Sequence, residues 1–371
     1  MLGENGIALA INGIGGRIGS NTLRAMIEHP RVFNIVAGND LALDLDRPAE
    51  NFIQCKAHDS TFGPWPCDME SSQDGKNLIL RGSSFSHTVQ FLSIRDPREL
   101  PWEEMGIVGV AECTGVFRTR ESGGKPGYDS HLQAGAKSVA LSVPAKDDVL
   151  TIVYGTHKRA LLGEPLLSAA SCTSGSIAFP LRCLLDRRDE LGFASGSIVT
   201  VHAYTAGEQQ LQDRPGPMKP GSRRIFAGAQ NIVPTTTGAA KAIPKLEGLG
   251  DDMEGIPFDG FALRVPVVSG SVTLLQVVLS SEPDLESVLR LFREAAQGPM
   301  VGKFAVNEDP TKSPHGRPLV SSHIIKRPES SILDIEFSSK LGALYTFSLW
   351  YGNEWGYVLR LIEALSEQCG T

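Results

Sequence analysis

The sequence predicts an α/β protein with two domains, the first built on a parallel sheet and the second an α+β domain with a mixed, mainly antiparallel sheet. Two observations support this prediction. In the first half of the chain, short apolar runs alternate with polar or helical segments, which is typical of parallel strands joined by right-handed crossovers. In the second half, strand-like runs such as FALRVPVV and SVTLLQVVLSS surround one amphipathic helix, EPDLESVLRLFREAAQG, which indicates a mostly antiparallel arrangement.

The size and composition of the chain fit this prediction and exclude several classes of protein. Its 371 residues suffice for two cores, and 41% hydrophobic residues is ordinary for a soluble globular protein. A formal net charge of −7, with no run of Lys or Arg, argues against nucleic acid as a partner. No apolar stretch approaches the ~20 residues of a membrane helix, and the start MLGENG lacks the features of a signal peptide. We therefore expect a cytoplasmic protein without a membrane partner.

The six cysteines show no pairing or Cys/His spacing suited to a metal. A chain of this size needs no disulfide framework, so the cysteines are expected to be free thiols.

The start of the chain is predicted to form a strand, then a glycine turn and then a helix. An apolar run from Ile7 to Asn12 ends at glycines, after which apolar residues recur at helical spacing. Backbone N–H groups at such a turn, together with the helix dipole, can bind a pyrophosphate. The glycines Gly13, Gly15 and Gly19 form GxGxxxG, one residue longer than the usual dinucleotide fingerprint, so this motif alone is a weak signal. A turn that binds nothing is the alternative.

A second apolar run, FNIVAGND, ends at Asp40. A carboxylate at the end of the second strand accepts hydrogen bonds from ribose hydroxyls and repels a 2′-phosphate, so Asp40 predicts NAD rather than NADP. The alternative is that Asp40 only caps a turn. Strands predicted in GIVGVAECTG, KSVALSVPA and LTIVYGT would place Thr114, Gly115 and Ser142 at the edge of the sheet where ligands bind. Residues 120–130, rich in Gly and charge, are expected to form an exposed loop without function.

The chemistry is expected at the segment SAASCTSGS, where Cys172 stands between two hydroxyl residues at the start of a predicted helix. A thiol with an ordinary pKa of about 8.5 is mostly protonated at neutral pH, so a nucleophilic cysteine needs help. The helix dipole favours a thiolate at Cys172, and His202 on the predicted strand SGSIVTVHAYT could pair with it. The alternatives are a buried structural cysteine and a core histidine. Cys183, about three turns along the same helix, is expected to be structural.

Taken in order, these motifs resemble the phosphorylating glyceraldehyde-3-phosphate dehydrogenase family from end to end. The matching segments are INGIGGRIG, AGNDL, RDP with LPW, ECTGVF, AGAKSVALSVPAKDD, SAASCTS, VTVHAYT, NIVPTTTGAAKAIPKL, ALRVPV, PLVSS and WYGNEWGYVLRL. The resemblance implies a Rossmann-like NAD domain over residues 1–171, completed by a C-terminal helix at 353–371, and a catalytic domain over residues 172–352. It also implies NAD as the cofactor and assembly into a homotetramer.

The resemblance further implies the glycolytic reaction, in which glyceraldehyde 3-phosphate becomes 1,3-bisphosphoglycerate. Cys172 would add to the aldehyde with His202 as base, hydride transfer would leave a thioester, and inorganic phosphate would release an acyl phosphate. The residues implied to bind the two phosphates are Ser171, Thr173, Thr237, Gly238 and Arg264 for inorganic phosphate, and Thr205 with Arg224 for the substrate. Those implied to bind the cofactor are Gly13, Gly15, Arg17, Ile18, Asp40, Arg95, Thr114, Gly115, Ser142, Asn353 and Tyr357.

The chain departs from the family pattern close to the predicted nucleophile. Where the family usually has SNASCTTNC, this chain has Ala169, Ser174, Gly175 and Ser176. A glycine inside a helix costs ~1 kcal/mol of helix stability. The loop between His202 and Arg224 is longer than usual, although in the family it approaches the cofactor of a neighbouring subunit.

Three hypotheses about function follow. The first is an active glyceraldehyde-3-phosphate dehydrogenase. The second is a sister enzyme that oxidises erythrose 4-phosphate or another phosphorylated aldehyde. The third is a binding or regulatory paralogue with weak turnover, against which the retained Cys172, His202, Arg224 and Arg264 argue.

Overall fold

Two sheets, of nine and seven strands, form the framework of the structure, a computed structural model that describes residues 6–28, 33–83, 85–205, 212–213 and 221–370. Each sheet belongs to its own unit of the chain. The first unit comprises Met1–Tyr154, Arg159–Ala170 and Val358–Thr371, and the second comprises Gly155–Lys158 and Ser171–Tyr357. The chain thus enters the second unit at Ser171, one residue before Cys172.

The nine-stranded sheet of the first unit has the strand order β10-β11-β9-β8-β1-β2-β7-β6-β5, and its pairs are parallel except for β5–β6 and β6–β7. Its strands, together with the β3–β4 hairpin, are β1 (Ile7–Asn12), β2 (Phe33–Asn39), β3 (His58–Asp59), β4 (Gly63–Pro64), β5 (Asp68–Ser71), β6 (Asn77–Gly82), β7 (Phe85–Leu92), β8 (Gly109–Glu112), β9 (Ser138–Leu141), β10 (Leu150–Thr151) and β11 (Leu166–Ser168). The helices that precede the second unit are α1 (Arg17–Glu28), α2 (Pro48–Lys56) and α3 (Ser130–Gln133), with a 3-10 turn at Pro97–Glu99.

The predicted strand, glycine turn and helix are confirmed at β1 and α1. Gly13 has φ +85°, a left-handed conformation that favours glycine. A Cβ at Gly19 would lie 2.1 Å from the carbonyl oxygen of Gly13, so only glycine lets the first turn of α1 pack against the end of β1. The second strand is also confirmed, and Asp40 follows its last residue.

The seven-stranded sheet of the second unit has the order β13-β14-β12-β15-β18-β17-β16, and only β12–β14 and β16–β17 are parallel. Its strands are β12 (Phe193–Ala203), β13 (Val233–Thr236), β14 (Phe258–Val265), β15 (Ser271–Leu279), β16 (Phe304–Asn307), β17 (Ser331–Leu341) and β18 (Leu344–Tyr351). The remaining helices are α4 (Cys172–Leu185), α5 (Arg188–Leu191), α6 (Gly238–Ala242), α7 (Leu285–Gln297) and α8 (Trp355–Cys369), with 3-10 turns at Arg223–Ile225, Ile243–Lys245, Asp251–Met253 and Ser321–Ile324.

Helix α4 is buried along nearly its whole length. Every residue from Thr173 to Leu185 is buried, because α4 contacts β15, β17 and β18 of the sheet and also α6 and α7. The helix continues through Pro180. As expected, Cys183 is a buried free thiol, and its sulfur lies 3.8 Å from that of Met300.

The predicted fold class is confirmed: a largely parallel sheet in the first unit and a mixed, mainly antiparallel sheet in the second. In the part of the chain that the structure describes, no helix combines the length and the apolar character that a bilayer crossing requires. The long loop predicted between His202 and Arg224 falls mostly at residues 206–211 and 214–220, outside the described residues.

Replacing Gly175 by alanine is expected to stabilise the protein by about 1 kcal/mol, because alanine is the better helix former. A Cβ at this position would lie 3.6 Å from the Cβ of Ser330, an ordinary van der Waals distance. Urea unfolding followed by circular dichroism measures the change. Gly19→Ala is the contrasting variant and is expected to destabilise, since its Cβ would collide with Gly13. A destabilised Gly175→Ala would contradict the expected accommodation of the methyl group.

Candidate active site

Cys172 is presented by a turn whose backbone is unusual. Ala170, two residues earlier, has φ +53°, which is rare for a residue with a side chain. Ser171 is the N-cap of α4, and its Oγ accepts a hydrogen bond of 3.1 Å from the backbone N–H of Ser174. Cys172 is therefore the first residue of the helix, where the sequence analysis expects it.

His202 faces Cys172 because of the register of the second sheet. His202 in β12 lies directly opposite Arg264 in the parallel strand β14. The Nε2 atom of His202 is 3.7 Å from the sulfur of Cys172, and its Nδ1 is 2.6 Å from the carbonyl oxygen of Ala203. In the tautomer with its proton on Nδ1, the ring donates to that oxygen and the lone pair of Nε2 faces the thiol. The structure thus brings together the two residues that the sequence predicts to be the nucleophile and the base.

Arg264 brings a permanent positive charge to this pair. Its Nη1 contacts Nδ1 of His202 and lies 3.4 Å from the carbonyl oxygen of Ala203. A guanidinium in this position favours negative charge on the neighbouring sulfur and can also bind an oxyanion by two parallel hydrogen bonds.

The electrostatic balance at Cys172 differs from the expectation of a lowered pKa. Burial raises the pKa of the Cys172 thiol above its ordinary value, and the nearby carboxylate of Glu354 raises it further, while Arg264 and hydrogen bonds from Thr173 lower it. The expected net lowering is therefore wrong for the free protein, because burial outweighs the favourable groups. Burial therefore opposes the thiolate that Arg264 favours, and Nε2 of His202 lies where it can accept the proton of Cys172.

Asn353 is held tightly against the same histidine. Its Nδ2 is 3.4 Å from both ring nitrogens of His202. Its Oδ1 accepts hydrogen bonds of 3.0 Å from the backbone N–H of Gly270 and from the hydroxyl of Ser271. These bonds fix the side-chain amide at the end of β18, whereas the predicted role of Asn353 toward the cofactor remains a prediction. Tyr357, the third residue of α8, is buried.

Tyr351 is a residue of this site that the sequence analysis missed. Its hydroxyl is 3.0 Å from Oγ1 of Thr173 and 2.7 Å from Oγ1 of Thr200, and its ring packs edge-on against His202 with centroids 6.0 Å apart. Complete burial raises the pKa of Tyr351 to about 12. Its position as the last residue of β18, two residues before Asn353 of the motif NEWGY, is the signal that could have identified it.

The other residues predicted to bind phosphate lie on segments around this sheet. Thr237 is the N-cap of α6, with Oγ1 accepting a 3.2 Å hydrogen bond from the backbone N–H of Ala239, and Gly238 is the exposed first residue of that helix. Arg224 lies in a 3-10 turn and Thr205 just beyond β12, both partly exposed. Direct contacts unite Cys172, His202, Arg264 and Asn353, while the phosphate-binding roles remain predictions.

In the first unit, a cavity of about 540 Å³ opens at the carboxyl ends of the parallel strands. Five of the predicted cofactor residues line it, namely Gly13, Gly15, Asp40, Arg95 and Thr114. Asn12, Asn39, Leu41, Ile94, Val116, Phe117 and Pro126 were not predicted but line it too. The expectation that residues 120–130 form an exposed loop is wrong for part of this segment, because Pro126 lines the cavity and Tyr128 is fully buried.

Asp40 connects the glycine turn to the end of β2. Its Oδ2 accepts a hydrogen bond of 2.8 Å from the backbone N–H of Gly15, and its Oδ1 accepts one of 2.8 Å from Ala42. The carboxylate therefore does cap a turn, as the alternative had it, but it also lines the cavity, where ribose hydroxyls can donate to it. A strand-end cavity with a glycine turn and a fixed carboxylate fits a dinucleotide.

The remaining predicted cofactor residues lie close to these strand ends. Arg17 and Ile18 are the first two residues of α1. Gly115 has φ +69°, and Ser142 is a buried residue whose backbone N–H donates a 2.9 Å hydrogen bond to the carbonyl of Glu112. These four residues are not among those that line the cavity.

Comparison with known proteins agrees with both units. A family model described as the NAD binding domain of glyceraldehyde 3-phosphate dehydrogenase matches residues 7–120, and one described as the C-terminal domain matches residues 171–353. The chain belongs to the glyceraldehyde-3-phosphate dehydrogenase family. The resemblance recognised from the motifs is therefore confirmed. The protein is an NAD-dependent oxidoreductase that acts on aldehydes, with NAD as its cofactor.

Relatives named glyceraldehyde-3-phosphate dehydrogenase match nearly the whole chain. One from Kitasatospora aureofaciens is 39% identical over 363 residues, covering 96% of this chain and 97% of its own. One from Mycobacterium tuberculosis is 37% identical over 370 residues (97% and 98%), and one from Pseudomonas aeruginosa is 36% identical over 365 residues (96% and 97%).

The alkylation of Cys172 by iodoacetamide should accelerate roughly tenfold per pH unit below the thiol pKa, because only the thiolate reacts. At pH 7, Arg264→Gln should slow the reaction, since it removes a charge that lowers the pKa of Cys172. Glu354→Gln should accelerate it, since it removes a charge that raises the pKa. Peptide mass spectrometry separates Cys172 from the other cysteines.

Arg81→Gln, which removes an exposed ion pair with Glu70, serves as the control and should leave the alkylation rate unchanged. Equal rates for the Arg264, Glu354 and control variants would show that neither charge acts on the thiol.

Proposed function

We propose that this protein oxidises glyceraldehyde 3-phosphate with NAD and inorganic phosphate to give 1,3-bisphosphoglycerate and NADH. The observation that carries the proposal is the 3.7 Å contact between the sulfur of Cys172 and Nε2 of His202, with Arg264 against the same imidazole. The names of the relatives support the choice of aldehyde.

The first step is the addition of Cys172 to the aldehyde. Nε2 of His202 takes the thiol proton as the sulfur forms a bond to the carbonyl carbon. The imidazolium then donates that proton to the developing oxyanion, which gives a thiohemiacetal bound to Cys172. Because burial raises the pKa of the thiol, this coupled transfer lets Cys172 act as a nucleophile near neutral pH. Asn353 and Tyr351 hold the imidazole in the required orientation.

The second half of the reaction oxidises and releases the acyl group. NAD supplies the acceptor for the hydride that leaves the thiohemiacetal carbon. His202 takes the hydroxyl proton at Nε2 as the thioester forms on Cys172. An oxygen of inorganic phosphate then attacks the thioester carbon, the carbon–sulfur bond breaks, and the thiolate is released beside the positive charge of Arg264.

The proposed binding sites follow from side-chain chemistry. Hydroxyls and backbone N–H groups donate to phosphate oxygens, and arginine adds charge and direction. We assign inorganic phosphate and substrate phosphate to the two groups of residues already named, Ser171, Thr173, Thr237, Gly238 and Arg264 for the former, and Thr205 and Arg224 for the latter. NAD binding is assigned to residues 1–171 with 353–371, where Asn353 and Tyr357 would orient the nicotinamide, and catalysis to residues 172–352.

Purified protein mixed with NAD, phosphate and glyceraldehyde 3-phosphate should produce NADH, measured by its absorbance. Cys172→Ser should produce none, and His202→Asn should lower kcat by about 10²–10⁴-fold, the usual contribution of a general base. Omission of phosphate should stop sustained turnover, and NADP should be a poor substitute because of Asp40.

The same assay separates the alternatives. Faster oxidation of erythrose 4-phosphate would favour the sister enzyme. This alternative is considered because the residues next to Cys172 depart from the family pattern. The absence of NADH with every aldehyde would leave only the binding or regulatory paralogue. Activity that survives Cys172→Ser would refute the thioester mechanism.

We also propose that the chain forms a homotetramer, as the family resemblance implies. One face of the second sheet supports this proposal, because it leaves an apolar row open to solvent. Phe261, Val199 and Leu274 are neighbours across β14, β12 and β15, and Phe261 and Leu274 are 47% and 36% exposed. Open apolar faces of this kind often mark subunit contacts.

A charge in this row should weaken the assembly. Leu274→Glu is expected to shift the sedimentation coefficient toward smaller species, because a carboxylate would be buried between subunits. Leu341→Glu is the control, since Leu341 is 79% exposed at the end of β17 and lies outside the row. Wild-type protein that sediments as a monomer would contradict the proposed tetramer, and an unchanged Leu274→Glu tetramer would contradict the role of the row.

A further inference from the structure

Three polar residues stand side by side at the carboxyl ends of the central strands of the first sheet. Asn39 ends β2, Asn12 ends β1 and Glu112 ends β8, and the register places Asn12 opposite both of the others. Asn39 donates a 2.8 Å hydrogen bond to Oδ1 of Asn12, and Asn12 donates one of 2.6 Å to Oε2 of Glu112. A polar chain therefore crosses the sheet where the cavity opens.

Glu112 is the centre of this chain and is completely buried. Oε2 accepts from Asn12 and, at 3.0 Å, from Nε2 of His131. Oε1 accepts from the backbone N–H of Thr114 at 2.9 Å and from the Thr114 hydroxyl. Within the described residues no Lys or Arg pairs with this carboxylate, so four neutral donor groups from three residues stabilise it. A buried carboxylate demands such a full set of donors.

Trp102 determines the tautomer of His131 by a hydrogen bond to the ring nitrogen that faces away from Glu112. The indole Nε1–H of Trp102 donates a 3.0 Å hydrogen bond to Nδ1 of His131, so that nitrogen carries no proton. The ring proton is therefore on Nε2, where it faces Glu112. Trp102 and His131 are both fully buried, and no water can substitute for either partner without opening the core.

The groups that Glu112 fixes are the walls of the cofactor cavity. Asn12, Asn39 and Thr114 all line it. The Thr114 hydroxyl gives its proton to Glu112 and accepts from the backbone N–H of Val116 at 3.1 Å, so toward a ligand its oxygen can only accept. We propose that Glu112, fixed by His131 and Trp102, is the positioning residue that orients the lining residues Asn12 and Thr114 for NAD. The inference depends on NAD binding and not on which aldehyde is oxidised.

Glu112→Gln tests the proposal. The side-chain amide introduced by this substitution has one NH2 group, which must face either Thr114 or the pair formed by Asn12 and His131. Both of these neighbours already donate toward residue 112, so the NH2 group would meet another donor on either side. NAD affinity, measured by isothermal titration calorimetry, should fall about tenfold or more as the lining residues lose their bonds. The alkylation rate of Cys172 without NAD and kcat at saturating NAD should stay near the wild-type values, so the defect appears in KM for NAD.

A second substitution should partly reverse the first. Trp102→Phe removes the donor behind His131, which lets the ring move its proton to Nδ1. In the double variant, Nε2 of His131 can then accept from the side-chain amide introduced by Glu112→Gln. The double variant should therefore bind NAD more tightly than Glu112→Gln alone, although Trp102→Phe by itself should weaken binding a few-fold. A merely structural role predicts that the two losses add.

Tyr128→Phe is the matched control. Tyr128 lies in the same apolar cluster as Trp102 and loses one 2.8 Å hydrogen bond, to Asp147, that does not involve Glu112. It should keep wild-type NAD affinity. Wild-type affinity of folded Glu112→Gln, or additive losses in the double variant, would overturn the proposal. If Glu112→Gln does not fold, Trp102→Phe must bind NAD more weakly than Tyr128→Phe, and equal affinities would overturn it.

Discussion

The contact between Cys172 and His202 is the interaction on which the rest of the active site depends. It exists because α4 begins at Cys172 and because β12 carries His202 opposite Arg264. A shift of one residue in either strand would turn one of these side chains to the other face of the sheet. The long, continuous pairing of β12 with β14 and β15 fixes that register. The sheet therefore holds His202 beside Arg264, and α4 brings Cys172 to them.

Two acidic groups in the structure have different surroundings. Burial raises the pKa of the Cys172 thiol more than the charge of Arg264 lowers it, and His202 lies where it can accept the thiol proton. Glu112 is completely buried, and four donor groups surround its carboxyl oxygens. Cys172 therefore has a neighbour that can take its proton, whereas Glu112 holds its neighbours in place.

Much of the fold was predictable because it is local. Apolar runs, glycine turns and helical periodicity located β1, α1, β2, β12, α7 and α8, and the order of motifs identified the family. The predictions failed where distant segments decide the environment. Helix α4 is buried on all sides because a sheet and two helices enclose it, and Pro126 reaches the cavity from a segment whose composition suggested an idle loop.

The sequence by itself determined the family and its cofactor NAD, and it predicts Cys172 as nucleophile and His202 as base, because residue type and spacing along the chain carry that chemistry. Only the tertiary structure decided the direction in which the pKa of Cys172 shifts, the place of Tyr351 beside Thr173, and the convergence of Asn12 and His131 on Glu112. These properties arise between residues far apart in the chain, through burial and strand register. Neither burial nor strand register can be read from the order of the residues alone.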